Sequence, residues 1–145
     1  MLTLKVSAQH IASTFQAAEK GAYSMQKLDA IYPAALAADS TKAVFKGGQQ
    51  EKLITAYSAL LNKLSVYLNK NNFRWDKPTR IFNRIYFAAD GSINYYLVNL
   101  VGSGLSNDQQ KQFLKLLNQF IKTNKIDIKA NTRFAQCSPV VYKNI

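Results

Sequence analysis

His10 is the only histidine and Cys137 the only cysteine among 145 residues, so one chain assembles no multi-histidine zinc site, disulfide or cysteine-cluster metal centre, and a histidine-based triad would depend on His10 alone, near the start of the sequence. Cys137 would need a neighbouring base and a thiolate-stabilising setting to act as a nucleophile, and the sequence around it offers neither. It reads as a small apolar residue of a strand. Most of the eight carboxylates have a structural reading, among them Asp90 in a turn and Asp108 at the start of a helix, where the macrodipole favours an acid; a catalytic carboxylate pair is the alternative. Gly102-Ser103-Gly104 is a loop, and no phosphate-cradling glycine motif is present. These residues predict a protein that is not an enzyme and uses no cofactor and no metal.

Two other constellations suit binding. The first is the segment Arg133, Phe134, Ala135, Gln136, Cys137, Ser138, Pro139, Val140, Val141, Tyr142. It has the composition of a strand, and Pro139, which has no N–H, places it at a sheet edge, where unpaired backbone groups can take up an extended peptide. An edge covered by the chain's own tail or by a dimer partner is the alternative. The second is Lys70, Arg74, Lys77, Arg80 and Arg84 interleaved with Phe73, Trp75 and Phe82, a pattern able to hold single-stranded nucleic acid or another acidic polymer by charge and stacking. Its alternative is a core-anchoring Trp75 among solvated cations. The chain carries 19 Lys and Arg against 8 Asp and Glu, a net charge of +11. Residues 1–51 contain five of the basic and four of the acidic side chains, so nearly all of the excess lies beyond them. A field of that sign steers anionic partners, or else marks a well-solvated lysine surface.

The elements that must position these residues centre on 80–100. There two β-branched and aromatic runs flank Ala89-Asp90-Gly91-Ser92, and Asp-Gly predicts a hairpin with a type I′ turn. Before it, residues 49–71 place Leu53, Ile54, Tyr57, Leu60, Leu61, Leu64, Tyr67 and Leu68 on one helical face. After it, Ser106-x-x-Gln109 has the form of a capping box opening a helix over 106–123, with Phe113, Leu116, Leu117, Phe120 and Ile121 on one side and Lys111, Lys115 and Lys122 on the other. The predicted fold is α+β: a three-stranded antiparallel sheet, made of the hairpin at 80–100 and the C-terminal strand at 133–142, covered by the helices at 49–71 and 106–123.

Residues 9–43 are predicted to form an N-terminal helical extension, with Ile11, Phe15, Ala18, Ala22 and Met25 on one stripe and Gly21 and Pro33 dividing it into two short helices. Val6-Ser7-Ala8 before Gln9 has the small-x-small form of a signal-peptidase site, which would make residues 1–8 a signal-peptide remnant; an ordinary N-terminal segment is the alternative. No run approaches the roughly 20 apolar residues of a membrane span.

From residue 44 onward the chain resembles the C-terminal domain of TonB in its Bacteroidetes-type version. Phe45-Lys46-Gly47-Gly48 is similar to the family's F-x-G-G entry to a helix that ends here in Tyr67-Leu68. The run IYFAADGSI at 85–93 resembles the V-x-F-x-V-x-x-D-G-x-V hairpin, and Pro139-Val140-Val141-Tyr142 resembles the closing P-V-x-F. The chain departs from the family at 73–78, where Y-P is replaced, and at 124–127, where W-x-P is missing. The resemblance implies an α+β domain over 44–145, a periplasmic or secreted location, and a protein-binding role in which the last strand captures an extended segment.

Overall fold

The computed structural model describes residues 9–21 and 23–145, so the cleavage site expected after Ala8 lies outside the described residues. The chain is α+β. Its sheet has four strands in the order β1, β3, β2, β4: β1 (Ile11–Thr14) is parallel to β3 (Ile93–Asn99), β3 is antiparallel to β2 (Thr79–Phe87), and β2 is antiparallel to β4 (Phe134–Tyr142). The three-stranded antiparallel sheet expected from the sequence is therefore incomplete, because the N-terminal segment adds a parallel strand.

Ile11 does not belong to a helical stripe. It lies beside Tyr95 in β1, and only from Phe15 does the chain become helical. Thr14 makes the change: its hydroxyl accepts the Ala17 N–H at 3.1 Å and caps α1 (Phe15–Lys20). Pairing with a strand far along the chain overrides the local three-to-four spacing. The two short helices predicted around Gly21 and Pro33 do form, as α1 and α2 (Met25–Ile31), ending at Gly21 and at Tyr32 just before Pro33.

Helix α3 (Gln49–Lys70) buries Leu53, Ala56, Leu60, Leu64 and Leu68, and it stops where Asn72 turns left-handed at φ 63°. Ile54, expected on this face, is 53% exposed because the buried stripe is centred on the 53, 60, 64 and 68 line. Helix α4 (Asn107–Thr123) starts in the predicted capping box, with the Ser106 hydroxyl accepting the Gln109 N–H and the Gln109 side chain accepting the Ser106 N–H. Its buried face is Phe113, Leu116, Leu117, Phe120 and Ile121.

The hairpin differs in one detail. Gly91 donates to the Ala88 carbonyl and Ala88 to the Ser92 carbonyl, and of the loop residues only Gly91 has positive φ, at 93°. A type I′ turn needs two such residues, so the loop is a three-residue turn closed by a left-handed glycine. Asp90 accepts the Ser92 N–H at 2.9 Å instead of adopting positive φ itself.

The sheet separates two apolar clusters. On one face α3 and α4 cover Ile81, Ile85, Phe87, Tyr96, Val98, Phe134 and Tyr142. On the other, α1 and α2 cover Tyr86, Leu97 and Ala135 through Ala18, Leu28 and Tyr32. Among the described residues, no helix is long and apolar enough to cross a membrane.

Candidate functional site

Along β4 the backbone groups of alternate residues point toward β2 or away from it. Ala135 shows which point away: its N–H donates to the Pro33 carbonyl at 2.9 Å, and its carbonyl accepts the Ala35 N–H at 2.8 Å. Cys137, Pro139 and Val141 share that parity. Among the described residues nothing pairs with the outer backbone of Cys137 or Val141, and Pro139 between them offers only a carbonyl. The edge is therefore closed at Ala135 and open over the rest of the strand.

Cys137, Pro139 and Val141 lie opposite Arg84, Phe82 and Arg80 of β2, on the sheet face that α1 and α2 cover only in part. Phe82 is 40% exposed and Val141 59%. Gln136, Ser138 and Val140 turn to the face under α3, where the Ser138 hydroxyl meets the Tyr57 hydroxyl at 2.7 Å.

A cleft of about 490 Å³ opens where the 33–35 segment leaves the edge, lined among others by Asp29, Tyr32, Pro33, Leu36, Arg84 and Cys137. On its wall, Arg84 Nη1 donates to Asp29 Oδ2 at 2.6 Å and the Tyr86 hydroxyl to Asp29 Oδ1 at 2.8 Å. Burial, and then the hydrogen bond to Asp29, raise the Tyr86 phenol well above its ordinary pKa. Burial also raises the Cys137 thiol, outweighing the pull of Arg84, so at neutral pH it is a protonated thiol and a poor nucleophile. His10 is at the other end of the strand order, its Nδ1 donating to the Ile93 carbonyl at 2.7 Å. The cleft thus combines apolar walls with a neutralised ion pair.

The eight residues expected along the last strand divide by role. Phe134 stacks on Phe87 at 4.9 Å and meets Phe45 edge-on at 5.0 Å, wholly inside the core. Tyr142 is buried at the other end, where its hydroxyl accepts from Asn83 Nδ2 at 2.6 Å and meets the Tyr96 hydroxyl at 2.7 Å. Ala135 is buried and already paired. Gln136, Cys137, Ser138 and Val140 lie along the open stretch, while Arg133 precedes the strand with its guanidinium 5.6 Å from the Tyr32 ring.

The basic and aromatic residues do not form one surface. Trp75 is 4% exposed, stacked on Tyr142 at 5.2 Å, and both its N–H and its carbonyl are bonded by the Asn144 amide. Phe73 is buried against it. Arg74 donates to the Asn69 and Phe73 carbonyls at the end of α3, and Arg84 is held by Asp29. Lys70 lies at the end of α3, Lys77 and Arg80 are exposed, and of the three rings only Phe82 reaches solvent. A nucleic-acid base has no access to Trp75.

The remaining edge is closed. At β1 the Asn118 side chain, reaching from α4, accepts the Ala12 N–H and donates to the Ala12 carbonyl, both at 2.9 Å. Sequence reasoning missed Asn118, and also Asp29, Tyr32, Pro33 and Leu36 of the cleft. Nothing local distinguishes these residues, since their partners are far along the chain. Comparison with protein-family models, curated proteins and solved structures found no match to this chain.

Proposed function

We propose that the protein is a non-enzymatic binding module that captures an extended protein segment by adding it to the outer edge of β4. The observation that carries this reading is the open run from Cys137 to Val141, whose outward backbone groups lie next to the cleft. Main-chain hydrogen bonds supply the affinity in such a complex, and pockets for alternate side chains supply selectivity. The likeness to TonB C-terminal domains in the hairpin and closing strand supports the same mode and a periplasmic or secreted setting.

The test is a titration of ¹⁵N-labelled protein with short blocked peptides in which valine alternates with a polar residue. The amides of Cys137 and Val141 should shift and become protected from exchange. Val141→Pro, which removes an outward donor without touching the ladder to β2, should abolish the shift at Cys137. If no peptide of the set moves these two amides at saturation, the reading is wrong.

A further inference from the structure

We infer that the segment taken up by β4 is acidic, with Asp or Glu two residues away from apolar ones so that both fall on one face of the strand, and that one of its apolar side chains enters the cleft beside Cys137. This rests on the edge-capture reading above and adds the chemistry of the partner.

Charge surrounds the open edge with one sign. Arg133 precedes β4, Lys143 follows it, and Arg80 lies across from Val141 on β2, all three exposed. Only two ion pairs form among the described residues, Arg84 with Asp29 and Lys125 with Asp90, and neither engages these three cations. Asp29, the one acid lining the cleft, is already committed to Arg84.

The same arrangement disfavours a second copy of this chain as the occupant. Two β4 strands paired antiparallel would bring Arg133 of each toward Lys143 of the other, with Pro139 withholding a donor in the middle. An acidic strand reverses the sign of these interactions. On the sheet face that carries Arg80, Phe82 and Arg84, its carboxylates meet Arg80, and its apolar side chains find Phe82, Pro139 and Val141. The 33–35 segment blocks the strand from running past Ala135, so its end lies at the cleft, where Tyr32, Pro33 and Leu36 form apolar walls.

Three blocked peptides decide the matter, each with serine at every second position and, at the positions between, valine taking turns with glutamate, with glutamine or with lysine, so that valine and the varied residue share one face. Binding is followed by fluorescence anisotropy and by the Cys137 and Val141 amides. The glutamate peptide should bind about fivefold or more tightly than the glutamine peptide, the size that two or three exposed charge pairs confer, and the lysine peptide should bind most weakly. Raising the ionic strength from about 0.05 to about 0.3 M should erase most of that advantage.

Arg80→Glu should remove the preference for glutamate, whereas Lys111→Glu on α4, an equal change in net charge away from the edge, should leave it nearly intact. Equal loss in both variants would mean bulk attraction and overturn the inference. Equal affinity for the glutamate and glutamine peptides, with the two amides still shifting, would overturn the acidic partner while leaving edge capture standing. No shift at those amides with any peptide would remove both.

Discussion

The two edges of this sheet solve one problem in different ways. At β1, four residues long, a single amide from Asn118 completes the donor and acceptor of Ala12, and α4 behind it shields the strand. At β4, nine residues long, the chain supplies a partner only to Ala135 and then turns away, leaving the outer groups of Cys137, Pro139 and Val141 to solvent. Short edges are closed by one side chain. The long edge instead carries a proline and neighbouring cations, which limit the strands that could pair with it.

The most severe way to break the contrast is to detach β4. Phe134→Ala removes a ring buried between Phe45 and Phe87 and should destabilise the fold by about 3–5 kcal/mol in denaturant unfolding, with exchange rising first across β4. Converting the closed edge into an open one is the next largest change. Asn118→Leu strands the Ala12 N–H and carbonyl and should lower stability by about 1–3 kcal/mol, with the Ala12 amide losing its protection.

Val141→Pro sharpens the comparison from the other side. It touches no ladder bond, so stability should change by less than about 1 kcal/mol even as peptide binding at the edge disappears.

The smallest effect belongs to Asp90, in the turn joining the two central strands, and should move both edges alike. Bonds from the Ser92 backbone and hydroxyl, with help from Lys125, lower its pKa to about 2. In the unfolded chain an aspartate titrates near about 3.9, so the folded form is favoured above that pH and the gain is lost as pH falls toward the folded value. Because the carboxylate is exposed, unfolding between about pH 4 and about pH 2 should show only a few tenths of a kcal/mol of this dependence, and Asp90→Asn should flatten it.

Much of this fold is legible in residue order wherever the signal is local. The Ser106 capping box, the apolar stripes of α3 and α4, the glycine of the hairpin loop and the proline of β4 each act within a few residues, and each appears where the sequence puts it. What is not legible depends on distant partners. Ile11 and Phe15 have helical spacing, and only Tyr95 decides that Ile11 is extended. The cleft requires Asp29 to meet Arg84 and Pro33 to meet Ala135, pairs that no window of sequence contains.

Trp75 is a different case, because the sequence carries two readings of it, a binding surface and a core anchor, and its burial decides for the core anchor. Phe73 and Trp75 alternate with Arg74 and Asp76 at the period of two expected for an extended segment with one face inward. Interleaved rings and cations suggested a binding surface, but the same alternation describes a core strap.

His10 and Ile93 bond across 83 residues of chain, and β1 has no other strand beside it. Such a closure bears a large loop entropy and gains nothing until β3 is in place. During synthesis, then, the segment that leaves the ribosome early must wait for the hairpin before it can dock. The final zippering of the sheet, and with it the covering of the opposite face by α1 and α2, should therefore come late in folding, with the Ala12 and Ala18 amides the last to gain protection in pulse-labelled exchange.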